Sequence, residues 1–249
     1  LEIAHDCVSL SCSTGWKILF TLSNQLAAIA TNTTKETPVI KNAAILNLGG
    51  IANVTLIQEN QPLIGFDTGP ANTLLNIWCE THTGQTYDKN GDWAASGQCH
   101  VELLDVMLAD PYFSLPAPKS TGKETFNLGW LEAKLATISD TELPPNHVQC
   151  TLTHLVAKSV ARALAASDQI ERVFVCGGGV HNQYLMHCLQ QAMSAKQVVS
   201  TLEIGICPDN MEAMAFAWLA WCRVHGEVGN CRSVTGAERG RVLGALYKK

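Results

Sequence analysis

The chain has 249 residues, of which 47% are hydrophobic, and it carries a formal net charge of −5. This length allows one large domain or two smaller ones, with enough apolar side chains for a sizeable core. The net negative charge and the lack of a run of basic residues exclude the basic surface that nucleic-acid binding requires. A soluble partner or a small substrate is therefore expected.

The first forty residues give a weak pattern. Apolar residues at 18–29 could form a helix, and the polar run at 31–34 predicts a loop. Three short apolar runs then predict strands, at residues 44–46, 54–57 and 63–66. The first two are joined by the Gly49-Gly50 turn, which predicts a hairpin.

Helical spacing of apolar residues dominates the rest of the chain. It predicts helices at residues 71–80, 103–108, 128–135, 152–164, 184–193 and 211–223. Turn residues predict loops at 87–92 and 115–124, and one further strand is expected at 173–176. Strands that lead into helices predict an α/β fold, a mixed sheet with packed helices.

Cysteine usage and hydropathy point to a reducing compartment. The ten cysteines include no C-x-x-C pair, and several lie in apolar patterns, as Cys176 does. The apolar cluster at 18–22 is too short to span a bilayer, and no signal peptide is visible. We therefore expect a cytoplasmic protein with reduced core thiols and no membrane contact, and the sequence leaves any metal site unknown.

Two glycine-rich turns are candidate ligand sites. The run CGGG at 176–179 follows a strand and precedes a helix, where the backbone can approach an anion closely. The run NLGGIAN at 47–53 places two glycines between two asparagines, whose amides can hold phosphate oxygens. For each run, an ordinary tight turn is an equally simple interpretation.

The segment GFDTGP at 65–70 contains the most informative carboxylate, Asp67. Flanking glycines leave room for a substrate, so Asp67 can be a general base at a strand end. Alternatively, it caps the helix that follows, which Pro70 at the helix start would suit. These residues alone do not decide between base and cap.

Two other polar groups have a functional and a structural interpretation. Glu212 can contact a sugar hydroxyl, or it can belong to a capping box with Asp209 as the N-cap. Lys119, Ser120 and Lys123 can meet an anionic substrate, or they can form a solvated loop.

Six motifs occur together in one order and spacing: NLGGIAN at 47–53, GFDTGP at 65–70, PKSTGKE at 118–124, CGGG at 176–179, MEA at 211–213 and VTGA at 234–237. Through them the chain resembles the anhydro-N-acetylmuramic acid kinases from about residue 41 to residue 247. That resemblance implies an actin-like ATPase domain of the ribonuclease H-like type, within a sugar kinase whose two α/β domains close over ATP.

The resemblance also implies a reaction and its site residues. ATP, Mg²⁺ and water would convert 1,6-anhydro-N-acetylmuramic acid to N-acetylmuramic acid 6-phosphate in cell-wall recycling. The catalytic base would be Asp67 and a sugar contact would be Glu212. Nucleotide contacts would be made by Asn47, Gly49, Gly50, Gly177, Gly178 and Gly179. The family also suggests a homodimer.

The family opens with a phosphate-binding segment G-T-S-x-D-G and carries later D-F-R and G-G-Q-G-A-P-L segments, which this chain lacks. We therefore expect residues 1–40 to be an atypical N-terminal segment and residues 41–249 to be the C-terminal portion of a kinase. Little or no turnover is expected from this portion by itself. The alternative is a non-catalytic remnant that binds sugar or a partner.

Overall fold

The computed structural model describes residues 41–139 and 143–247. It contains five strands, β1 (Ala43–Leu48), β2 (Ile51–Ile57), β3 (Ile64–Pro70), β4 (Arg172–Cys176) and β5 (Gln197–Ser200). The α-helices in these ranges are α1 (Asn72–Thr83), α2 (Asp92–Ala95), α3 (Val101–Leu108), α4 (Pro111–Ser114), α5 (Leu128–Leu135), α6 (Pro145–Leu164), α7 (Gln183–Ala192), α8 (Met211–His225) and α9 (Arg232–Thr235). Short 3-10 turns lie at Lys89–Gly91, Gly178–His181 and Thr201–Ile204. The predicted helix at 18–29 and loop at 31–34 lie outside the described residues.

The strands form one mixed sheet in the order β3-β2-β1-β4-β5. Strands β1, β2 and β3 pair antiparallel, whereas β1, β4 and β5 are parallel. This is the strand order of a ribonuclease H-like domain, so the predicted α/β class is confirmed. Strand β5 was not predicted, because its four residues, one exposed and three half-buried, contain no long apolar run.

Helices cover both faces of the sheet, and each face has its own core. The even residues of β1, such as Leu46, pack with α1, α3, α6 and α7 in the larger core. The odd residues, such as Ile45, pack with Met211 and Trp218 of α8 in the smaller one. Burial on both faces explains why β1 has a nearly continuous apolar run.

Helix α6 begins seven residues before the predicted start at residue 152. Its first turns contain buried polar residues that hid the helical period, including Gln149, Thr151 and Thr153. The hydroxyls of Thr151 and Thr153 donate to carbonyl oxygens four residues earlier, at 2.7 and 3.0 Å. Hydrogen bonding inside the helix therefore allows polar side chains on a buried face.

The loop predicted at 87–92 is more ordered than its composition suggests. Its second half forms a 3-10 turn and enters α2, and Asp88 organises this change. The two carboxylate oxygens of Asp88 accept hydrogen bonds from the backbone N–H groups of Trp93 and Ala94, each at 2.9 Å. The loop is thus fixed against the start of α2.

Eight cysteines lie in the described ranges, and all eight are free thiols. Burial raises the pKa of the Cys176 thiol to about 12, which makes this group a poor nucleophile. Within the same ranges, no helix is both long enough and apolar enough to cross a membrane.

Candidate active site

A row of side chains crosses four strands at one level of the sheet. Asp67 on β3 pairs with Asn53 on β2, which pairs with Asn47 on β1, which pairs with Cys176 on β4. Residues opposite one another in a sheet point to the same face, which here is the face covered by α8. Two strand spacings separate Asp67 from Asn47, about 10 Å.

Asp67 is fully buried, and it lies inside β3 rather than after it. The N-cap of α1 is Ala71, and no side chain caps that helix, so the interpretation of Asp67 as a helix cap is wrong. Its Oδ2 atom instead accepts hydrogen bonds from Ser120 Oγ at 2.8 Å and from the backbone N–H of Thr121 at 2.9 Å.

The backbone of Asp67 is held as firmly as its side chain. Its N–H donates to the Lys119 carbonyl oxygen at 3.0 Å, and its own carbonyl oxygen accepts from the Tyr112 hydroxyl at 2.8 Å. Lys119 Nζ in turn donates to the Tyr112 carbonyl oxygen at 2.9 Å. We call Tyr112, Lys119, Ser120 and Thr121 the Asp67 clamp.

Burial changes the acidity of two clamp residues. It raises the pKa of Tyr112, and the nearby negative charge of Asp67 adds to this effect, so the hydroxyl stays a donor. Burial also lowers the pKa of Lys119. Lys119 holds Asp67 through its backbone carbonyl and Ser120 through its hydroxyl. The contact of Lys119, Ser120 and Lys123 with an anionic substrate stays a prediction.

The Gly49-Gly50 turn forms a second polar region, beside the clamp. A Cβ atom on Gly50 would lie 2.6 Å from Thr73 Oγ1 and 3.2 Å from Lys123 Cε, so glycine is required for this close approach. Asn47 Nδ2 and Thr73 Oγ1 are buried and have no hydrogen-bond partner among the described residues. We call Asn47, Gly49, Gly50, Thr73 and Lys123 the glycine cradle.

The cradle has the composition of an anion site. It combines an ammonium group, an unpaired amide N–H and an unpaired hydroxyl around a turn that has no side chains of its own. Buried polar groups are nearly always paired, so unpaired ones mark a place where a ligand can complete the hydrogen bonding. Lys123 is exposed, so its ammonium group is available to solvent or ligand.

The second glycine turn lies against the first. Gly177 has a φ of 81°, a conformation that favours glycine, and its N–H donates to the Pro208 carbonyl oxygen at 3.1 Å. Gly179 is buried, and a Cβ there would lie 2.5 Å from Leu48 Cβ. Gly177 and Gly179 thus allow the ends of β1 and β4 to pack closely, and Gly178 is exposed beside them.

Glu212 is exposed in the first turn of α8, on the same side of the sheet as Asp67. The predicted capping box is wrong, because the N-cap is Asn210 and no side chain caps the helix. Asp209 Oδ1 instead pairs with His181 Nε2 at 2.7 Å. The carboxylate of Glu212 is therefore available for a ligand, and its contact with sugar stays a prediction.

The sequence did not point to Thr73, a helical residue with no motif around it. Its importance comes from the folding of α1 against the Gly49-Gly50 turn, where the Asn72 N–H donates to the Gly49 carbonyl oxygen at 3.1 Å.

Across residues 41–139 and 143–247, no three His, Cys, Asp or Glu side chains are arranged to hold a metal ion.

Comparison with known proteins identifies relatives of this chain. A family model described as anhydro-N-acetylmuramic acid kinase matches residues 27–249, starting before the boundary expected at residue 40. An anhydro-N-acetylmuramic acid kinase of Haemophilus influenzae is 47% identical over 216 residues, 83% of this chain and 56% of that protein. The enzyme of that name from Pseudomonas fluorescens is 46% identical over 207 residues, with the same coverage. The chain spans about half the length of these relatives.

Two solved structures show distant likenesses to this chain. The activator of 2-hydroxyisocaproyl-CoA dehydratase from Clostridium difficile, with bound ADPNP, has a TM-score of 0.47 and 13% identity over 70% of this chain and 57% of its own. Xylulose kinase from Rhodospirillum rubrum has a TM-score of 0.48 and 15% identity, over 80% of this chain and 40% of its own.

Proposed function

The chain belongs to the anhydro-N-acetylmuramic acid kinase family, and on that premise we propose that it forms the base-bearing part of an ATP-dependent sugar kinase. The substrate would be 1,6-anhydro-N-acetylmuramic acid, and the products would be N-acetylmuramic acid 6-phosphate and ADP. Such a step serves cell-wall recycling in the cytoplasm. A homodimer remains a prediction.

Asp67 is the proposed general base. Its carboxylate takes a proton from water as the water oxygen bonds to the anomeric carbon, and the bond from that carbon to O6 breaks. O6 then accepts the γ-phosphoryl group of ATP, and ADP leaves. The clamp supports this role, because two hydrogen bonds to one carboxylate oxygen fix the orientation of the base.

The glycine cradle is the proposed site for the phosphates of ATP. ATP would supply the phosphoryl group, and an accompanying Mg²⁺ ion would help to neutralise its charge. Asn47 Nδ2, Thr73 Oγ1 and the ammonium group of Lys123 would donate to phosphate oxygens, and Gly49 and Gly50 leave room for them. Positioning the reactants and neutralising the charge on the phosphates are the main contributions that a protein makes to phosphoryl transfer.

The remaining predicted contacts extend this arrangement. Gly178 would meet the nucleotide from its exposed position, with Gly177 and Gly179 shaping the turn around it. Glu212 would face the sugar from the first turn of α8, on the side of the sheet where Asp67 also points.

The observation that carries the proposal is the juxtaposition of clamp and cradle. The loop that binds Asp67 through Ser120 and Thr121 continues directly to Lys123, whose side chain lies over Gly50. One loop thus links the proposed base to the proposed phosphate site. Such closeness is what a reaction needs when ring opening is followed by phosphorylation of the freed oxygen.

A product assay tests the proposal. The 249-residue chain, and a chimera that carries the N-terminal part of the Haemophilus influenzae relative ahead of residue 41, are incubated with ATP, Mg²⁺ and anhydro-N-acetylmuramic acid. Mass spectrometry should detect N-acetylmuramic acid 6-phosphate from at least one of them. If both stay inactive while the intact relative forms product, the chain is a non-catalytic remnant.

A further inference from the structure

Strand β3 contains one extra residue next to Asp67. Asn53 of β2 pairs with Asp67, and the preceding residue of β2, Ala52, pairs with Gly69. One step along β2 therefore corresponds to two steps along β3, so Thr68 is the extra residue. Such an insertion is a β-bulge, a feature that is over-represented beside active sites, where it re-aims a side chain.

The bulge separates the directions in which Asp67 and Gly69 point. Successive residues of a regular strand alternate between the two faces of a sheet, so these two would otherwise share a face. A Cβ atom on Gly69 would instead lie 2.7 Å from Phe113 Cε1 and 3.5 Å from Ser159 Oγ of α6, on the side of the larger core. Asp67 points to the opposite face with Asn53.

The bulge also lies between two fixed points of the backbone. Beyond β3, the N–H groups of Ala71 and Thr73 both donate to the Gly50 carbonyl oxygen, at 3.0 and 3.1 Å. Before it, the clamp binds the carboxylate of Asp67. The number of residues between Asp67 and Thr73 therefore determines whether clamp and cradle can form together. With one residue fewer, either Asp67 would leave the clamp or α1 would leave the Gly50 turn.

Thr68 holds the bulge through its own side chain. It is 1% exposed, and its hydroxyl donates to the Ala52 carbonyl oxygen at 3.3 Å, at the point where the register shifts. The next residue, Gly69, has a φ of 151°, which favours glycine, and the Phe113 ring leaves no room for a side chain there. A buried hydrogen bond and a required glycine thus fix the bulge in place.

We propose that Thr68 is a positioning residue for the base, because its hydroxyl fixes the bulge that directs the Asp67 carboxylate to Ser120 and Thr121. The inference rests on the proposed function, since it takes Asp67 as the base. It places the base and the residue that aims it next to each other in the segment at 65–70.

Amide hydrogen exchange, measured by NMR on the 249-residue chain, tests the positioning without any turnover. The Thr121 N–H donates to Asp67 Oδ2 and reports on the clamp, whereas the Thr73 N–H donates to Gly50 and reports on the cradle. We expect Thr68→Val to accelerate exchange at Thr121 at least about tenfold more than at Thr73. Thr68→Ser keeps the hydroxyl and should exchange like the parent chain.

Binding and turnover should separate in the same variants. Affinity for inorganic tripolyphosphate, measured by titration calorimetry as a probe of the cradle, should stay within about twofold in Thr68→Val. In whichever of the chain and the chimera forms product, Thr68→Val should lower kcat by about 10- to 100-fold, because a base that is slightly misplaced works poorly. KM for ATP and for the sugar should change by less than about twofold, and Thr68→Ser should restore kcat.

Thr153→Val is the matched control, because the Thr153 hydroxyl is also buried and donates to a backbone carbonyl oxygen, at 3.0 Å, but lies in α6. It should change exchange at Thr121 and at Thr73 to the same extent. The same result for Thr68→Val, or unchanged exchange at Thr121, would overturn the positioning role. If Thr68→Val does not fold, Thr68→Ala carries the same expectation, since it places no methyl group against the Ala52 carbonyl.

The Asp67→Asn variant distinguishes failure of this inference from failure of the proposed function. Loss of turnover in Asp67→Asn, together with the parent kcat in Thr68→Val, would overturn the positioning role and leave Asp67 as the base. Parent turnover in Asp67→Asn would remove the base, and with it both proposals.

Discussion

The Asp67 clamp and the glycine cradle lie side by side at one end of the sheet, yet the clamp groups bind another residue of the chain and the cradle groups surround an open turn. In the clamp, Ser120, Thr121, Lys119 and Tyr112 all make hydrogen bonds to Asp67 at 3.0 Å or less. In the cradle, two buried polar atoms have no partner among the described residues. The chain itself holds the backbone and the carboxylate of Asp67 in place, whereas the cradle leaves two buried donors for a proposed ligand, so substitutions in the two regions should have different consequences.

Asp67→Asn should give the largest loss of product formation. It removes the proposed base that the clamp holds and leaves the cradle unchanged. We expect product formation to fall by about 10²- to 10⁴-fold, since an amide cannot accept the proton of water. Affinity for ATP should stay within about twofold. The measurement uses whichever of the chain and the chimera forms product, with the exposed Asp92→Asn as the control. Turnover at the parent rate would show that Asp67 is not the base.

Ser120→Ala tests whether the clamp stabilises the folded protein as well as positioning Asp67. Removing the hydroxyl leaves the buried carboxylate of Asp67 with one fewer donor, which should lower the free energy of unfolding by about 1–2 kcal/mol. Urea unfolding measures the loss, and tripolyphosphate affinity should not change. Ser114→Ala, another exposed serine, is the matched control. Equal stability of the two variants would mean that water replaces the Ser120 hydroxyl at no cost.

The contrast between clamp and cradle also separates what sequence could predict from what it could not. Local patterns located β1, β2 and α5, because apolar periodicity within one element determines burial. The cap interpretation of Asp67 failed because β3 continues to Pro70 as an edge strand, which tolerates proline. Partners such as Ser120, which is 53 residues from Asp67, depend on tertiary contacts that no local spacing encodes.

Lys123→Gln probes the charge of the cradle. The ammonium group lies above Gly50 in an exposed position, so its loss should weaken tripolyphosphate binding by about 5- to 10-fold at low salt. The effect should shrink as salt is added. Stability should be unchanged, in contrast to Ser120→Ala. Lys158→Gln, an exposed lysine on α6, serves as the control. Tripolyphosphate affinity equal to that of the control would remove Lys123 from the cradle.

Thr73→Val gives the smallest expected change and the sharpest test of the comparison, because the clamp and the cradle predict opposite signs for stability. A buried hydroxyl with no partner lowers stability, so its replacement by a methyl group should leave the free energy of unfolding unchanged or raise it by up to about 1 kcal/mol. Tripolyphosphate binding should nevertheless weaken, since the hydroxyl is one of the proposed donors to phosphate.

Thr153→Val is the matched control for this change. Thr153 is also buried in a helix, but its hydroxyl donates to the Gln149 carbonyl oxygen at 3.0 Å. Its replacement should therefore destabilise the protein, by about 1 kcal/mol, and leave tripolyphosphate binding as it was. If Thr73→Val instead destabilises the chain as much as Thr153→Val does, the Thr73 hydroxyl is satisfied within the protein. The cradle would then lose one of its two proposed donors to phosphate.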